Sequence, residues 1–111
     1  MQLNYGNGYD HCWVLNDYKN GYRLVASAFH EESGRLMEVY SDQPGLQFYT
    51  GNFLDGSLPQ KEEGFYNFRS GFCMETQHFP NSPNQPDFPS VTLNPNEKYN
   101  SKTTYKFKIK E

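Results

Sequence analysis

Arg23-Leu24-Val25-Ala26-Ser27-Ala28-Phe29-His30, then Glu31-Glu32-Ser33-Gly34, then Arg35-Leu36-Met37-Glu38-Val39-Tyr40-Ser41, is the stretch on which the fold turns. Two runs of this length, rich in apolar residues and joined by a short glycine-containing segment, predict a β-hairpin. Successive side chains of a strand point to opposite sides, so Leu36, Glu38 and Tyr40 share one face, opposite Met37 and Val39. Working outward, residues 46–50, 71–75 and 103–109 supply three further strand candidates. Turn signals at Asn20-Gly21, Pro44-Gly45, Asp55-Gly56 and Asn94-Pro95-Asn96 separate them. No segment sustains a helical period, so an all-β fold is expected.

Two stretches resist assignment as strands. Residues 56–70, with the charged Lys61-Glu62-Glu63, are expected to make a surface excursion, while the proline-punctuated residues 81–89 should be extended and stiff. There is no internal repeat and no low-complexity linker, so a boundary within residues 1–111 is not expected. At 111 residues and 35% hydrophobic, the chain can fill one modest domain and no more.

The net charge of -3 argues against a nucleic-acid backbone or an anionic membrane as partner, since both reward clustered Lys and Arg. Lys106, Lys108 and Lys110 alternate with Phe107 and Ile109, as a solvated or edge-protecting strand face would. No stretch approaches the roughly 20 apolar residues of a membrane-spanning helix. Met1-Gln2-Leu3-Asn4-Tyr5-Gly6 lacks the basic start and apolar middle of a signal peptide. Cys12 and Cys73 read as small buried hydrophobes rather than a bridge, which fits a reducing, cytoplasmic setting. Without a Cys-x-x-Cys or a His/Cys cluster at ligand spacing, neither a metal site nor a bound cofactor is expected.

One carboxylate, Glu75, lies in the short apolar run Gly71-Phe72-Cys73-Met74-Glu75, ahead of Thr76-Gln77-His78-Phe79-Pro80. A carboxylate ending a strand before a stiff loop can serve as a general base, and it can equally be a solvated surface group. The local pattern leaves both readings open. Nineteen aromatic residues (nine Phe, nine Tyr, one Trp) suit strands and a core, and also the stacking surfaces that sugar C–H faces favour.

Three ordered segments settle the direction: Gly8-Tyr9-Asp10-His11, then Asp42-Gln43-Pro44-Gly45-Leu46-Gln47-Phe48-Tyr49-Thr50-Gly51-Asn52-Phe53-Leu54-Asp55-Gly56, then the Glu75 stretch through Pro89. Together they resemble the C-terminal part of the galactose mutarotase (aldose 1-epimerase) family over almost the whole chain. The resemblance implies that residues 1–111 are the C-terminal portion of a large antiparallel β-sandwich, and that the substrate is a hexose such as galactose or glucose. It implies Glu75 as the general base, with Asp10 and Gln47 binding sugar hydroxyls. An ionised carboxylate accepts several such bonds, and an amide both donates and accepts. Partial burial of Glu75 would bring its acidity nearer the working pH.

The family's general acid is a histidine. With a second histidine and an arginine it belongs to a part of the domain N-terminal to everything matched here, and His11, His30 and His78 do not occupy its position. A partner is therefore expected in the N-terminal part of the same enzyme. A non-catalytic carbohydrate-binding β-sandwich is the alternative, and a glycosidase pairing Asp10 with Glu75 is a further one.

Overall fold

The computed structural model describes residues 2–110, and almost all of the regular structure is β. After a single helical turn, α1 (Gln2–Tyr5), the strands are β1 (Asp10–Val14), β2 (Arg23–His30), β3 (Arg35–Ser41), β4 (Gly45–Tyr49), β5 (Cys73–Gln77) and β6 (Thr103–Ile109). They form two three-stranded antiparallel sheets, ordered β1-β4-β5 and β2-β3-β6. This is the all-β, antiparallel architecture that the sequence leads one to expect.

The β2–β3 hairpin forms with the expected ends and with a register shift between Leu24 and Ala26. Its turn depends on Gly34, at φ 66°. A Cβ there would lie 2.6 Å from the Lys110 carbonyl. The close approach is needed because the Gly34 carbonyl accepts the Lys110 N–H at 2.8 Å, tying the turn to the end of β6.

Alternation then decides which faces meet. His11, Trp13, Leu46, Phe48, Met74 and Thr76 share one face of the first sheet, because Trp13 pairs with Leu46 and Leu46 with Thr76, while His11 pairs with Phe48 and Phe48 with Met74. That face is turned to the second sheet. Trp13, Leu46, Phe48 and Met74 border a shared cavity with Val25 and Ala26, and the Tyr105 hydroxyl donates to the Met74 carbonyl at 2.6 Å. The core is thin, with Val39 and Leu46 its buried apolar side chains among the described residues. On the other side of β6, Lys108 is paired rather than merely solvated: its Nζ lies 2.8 Å from Glu38 across β3.

Three sequence expectations need correction. β5 runs two residues later than residues 71–75, because Thr76 and Gln77 still pair with Leu46 and Gly45, whereas Gly71 and Phe72 belong to the incoming loop. Glu75 is consequently the middle residue of its strand and not its last. Residues 81–89 are not extended: Asn81 sits at φ 62°, Ser82–Asn84 make a 3-10 turn, and Phe88 N–H donates back to the Gln85 carbonyl at 3.0 Å. Proline fixes φ near the helical value as readily as near the extended one, so it stiffens without dictating extension. Finally, β1 is a strand that the pattern does not announce, since its Asp10 is depleted in strands and its five residues are too few to establish a period.

Candidate functional site

The other face of the first sheet carries the candidate site. Cys12 of β1 pairs with Gln47 of β4, which pairs with Glu75 of β5, and one level along Asp10 pairs with Tyr49 and Tyr49 with Cys73. All six side chains therefore project to the same side, away from the second sheet. The register brings together the three residues singled out in the sequence. Gln47 Nε2 donates to Asp10 Oδ1 at 2.7 Å, and Gln47 stands directly opposite Glu75. Asp10 and Glu75 are exposed and Gln47 is half-buried, so the expected partial burial of Glu75 is not provided by the described residues.

The two cysteines share this face and are free. With β4 between their strands, their backbones are separated by two strand spacings, about 9–10 Å, beyond the reach of a disulfide. Gln77 Nε2 donates weakly to Cys12 Sγ at 3.6 Å. Burial, and then the neighbouring Glu75 and Asp10 carboxylates, push the Cys73 thiol above the ordinary thiol range. Cys73 therefore stays neutral between the two carboxylates at physiological pH.

The histidines lie elsewhere. His11 is on the opposite face of β1, where its Nδ1 accepts the Asp10 N–H at 3.1 Å. His30 ends β2 and bonds Ser33 at 2.8 Å. His78, just past β5, bonds the buried Gln43 at 2.8 Å, and Gln43 in turn donates to Tyr99 and Ser101 at 3.0 and 2.7 Å. None of the three reaches Glu75's face by its position in the sheets.

Tyr49 is a site-face residue that the sequence reading passes over. The signal was available: once residue 47 is placed on a strand and assigned to a site, residue 49 must share its face. Its ring is stacked on Phe53, with centroids 6.2 Å apart and planes 14° from parallel.

The open face of the first sheet thus presents a carboxylate–amide pair and a second carboxylate, groups that can donate and accept hydrogen bonds. Comparison with known proteins is specific. The chain belongs to the aldose 1-epimerase family, whose family model matches residues 1–106. It is 47% identical to galactose mutarotase of Rattus norvegicus over 109 residues, covering 98% of this chain and 32% of the rat protein. It is 50% identical to human galactose mutarotase over 103 residues, covering 93% of the chain and 30% of the human protein. With aldose 1-epimerase of Escherichia coli the identity is 35% over 102 residues, 90% of this chain and 29% of the bacterial protein. The chain thus spans about a third of the length of the curated relatives it matches.

Proposed function

We propose that this chain supplies the base and part of the sugar-binding surface of a mutarotase that interconverts the α and β anomers of hexoses such as galactose and glucose. In that reaction a base takes the proton of the C1 hydroxyl, the C1–O5 bond breaks as the C1 carbonyl forms, and an acid protonates O5. The C1 end of the open aldehyde then rotates, and the reverse steps close the ring with the hydroxyl on the other face. Glu75 is the base in this reading, while Asp10 accepts hydrogen bonds from sugar hydroxyls and Gln47 both donates and accepts.

The observation that carries the reading is the sharing of one sheet face by Asp10, Gln47 and Glu75, with Gln47 bonded to the first and opposite the third. The acid comes from outside residues 1–111, because His11, His30 and His78 are all committed away from that face. The same fact favours a second reading for the chain by itself, that it binds sugar without turning it over.

Replacing Glu75 with glutamine tests the assignment, since the amide keeps size and hydrogen bonding but cannot take the C1 proton. In the complete enzyme the rate of mutarotation of freshly dissolved α-D-galactose, followed by polarimetry, should fall roughly 10²- to 10⁴-fold. A near-normal rate in Glu75→Gln removes Glu75 from the mechanism.

A further inference from the structure

Phe53 is a large apolar side chain held outward, 70% exposed. Single exposed apolar residues are ordinary on protein surfaces and by themselves mean nothing. What sets Phe53 apart is how firmly its backbone is fixed beside the site. Its N–H donates to the Tyr49 hydroxyl at 3.0 Å, and the two rings are stacked. The preceding turn is anchored at both neighbours. The Gly51 carbonyl accepts the Leu54 and Arg69 N–H groups at 3.3 and 3.1 Å, and the buried Asn52 donates to the Tyr9 carbonyl at 2.8 Å and accepts the Thr50 hydroxyl at 2.8 Å. Gly51 is required there, since at φ 65° a Cβ would lie 2.6 Å from the Gly71 carbonyl.

Tyr49 in turn is the register partner of Asp10. The aromatic pair is therefore a ledge rising from the same face as the Asp10–Gln47–Glu75 cluster, next to its hydroxyl-binding end. Rigid apolar walls with a few polar groups at their edge are the ordinary composition of small-molecule sites.

We propose that Phe53, braced by Tyr49, is a stacking platform for the C–H face of a galacto-configured pyranose and biases the site toward galactose over glucose. The proposal rests on the assignment of Asp10 to sugar hydroxyls made above. The axial O4 of galactose turns the hydrogens on C3, C4 and C5 to one side of the ring, giving a continuous apolar patch that an aromatic face can cover. In glucose the equatorial O4 puts the C4 hydrogen on the other side and breaks that patch. An aromatic ring held in place without a conformational cost rewards the first sugar more than the second.

The test is saturation-transfer NMR on the 111-residue chain with methyl α-D-galactopyranoside and methyl α-D-glucopyranoside, glycosides that cannot open and so report binding alone. Irradiating the aromatic protons should transfer saturation most strongly to H3, H4 and H5 of the galactoside. Phe53→Ala should cut that transfer about fivefold, the order expected of one aromatic contact, and affect the glucoside less, while Phe53→Trp retains it. Tyr49 remains in Phe53→Ala, and the lost ring is exposed, so the amide spectrum should be unchanged. If Asp10→Ala weakens the galactoside signal but Phe53→Ala leaves both signals at their original ratio, the platform is wrong and the site assignment stands. If the galactoside signal is undiminished in Asp10→Ala, the sugar is not on this face and the functional reading fails. Absence of transfer to either glycoside overturns the platform, and the functional reading is then judged by the Glu75→Gln rate in the complete enzyme.

Discussion

Asp10 and Gln47 form a donor–acceptor pair, and this makes their removal unequal. Deleting the Asp10 carboxylate takes away a charged acceptor, the one proposed for sugar hydroxyls, and also leaves the Gln47 amide without the partner that orients it at 2.7 Å. Deleting Gln47 removes one neutral group and leaves an exposed carboxylate that water can satisfy. Loss of a hydrogen-bonding partner costs about 1 to 3 kcal/mol, with charged partners at the upper end. In the complete enzyme Asp10→Ala should therefore raise the Michaelis constant for galactose more than Gln47→Ala does, and both should act on binding more than on proton transfer. Unchanged KM and kcat in both variants would mean that the sugar sits elsewhere. The three histidines are instructive at the same scale. His11 is engaged by the Asp10 backbone N–H on the opposite face of β1, His30 by Ser33 and His78 by Gln43, which is why residue type alone was a poor guide to a proton donor.

At the scale of elements, the Glu38–Lys108 pair shows what the second sheet gains from its register. Lys108 reaches across from β6 to β3, and Tyr40 donates to the same carboxylate at 3.0 Å. The hydrogen bond from Lys108, first, and that from Tyr40 hold the Glu38 carboxyl below the usual carboxylate range, while the Glu38 contact raises Lys108. A depressed carboxylate contributes stability that is present above its ordinary value of about 4.3 and is lost as pH falls through the folded value. The raised lysine contributes below its ordinary value of about 10.4 and loses that contribution as pH rises through the folded value. Urea midpoints of the native chain and Glu38→Gln should differ at pH 7, and the gap should close only as the pH falls through the folded value of Glu38, which lies below the ordinary carboxylate range. A gap that is the same in Lys108→Met, where the partner is gone, would show that the pair is not the cause. The β2–β3 hairpin and β6 were legible in the sequence because their patterns run for seven or eight residues. β1 was not, since its five residues serve two different surfaces, Trp13 and His11 toward the second sheet and Asp10 and Cys12 toward the site. The identity of Asp10, Gln47 and Glu75 came from resemblance. That they share one face came only from the register, which depends on long-range pairing that no local pattern encodes.

For the whole molecule, the exposed apolar surface and the open sheet edges belong to one physical problem. Phe107 and Ile109 are 75% and 70% exposed, although they share with Tyr105 the β6 face that turns toward the first sheet. β5, which carries Glu75, is an edge strand, as are β1, β2 and β6. Exposed apolar faces and unpaired edges favour association with further β-structure. The proposed acid must also approach from a surface that the described residues do not build, since Glu75's face is open and holds no histidine. The 111-residue chain alone should therefore not accelerate mutarotation above buffer between pH 5 and 8, even if it binds sugar. Glu75 could then accept the C1 proton, but nothing held near O5 would donate one, and acid–base catalysis requires both groups in place at once. Adding the N-terminal two thirds of an aldose 1-epimerase in trans should restore activity where the two parts dock. Polarimetry of the purified chain, with and without that partner, measures the difference. Robust catalysis by the chain alone would instead require that one of His11, His30 or His78, or a second copy of the chain, delivers the proton, and would overturn the division of acid and base argued from the two faces of the first sheet.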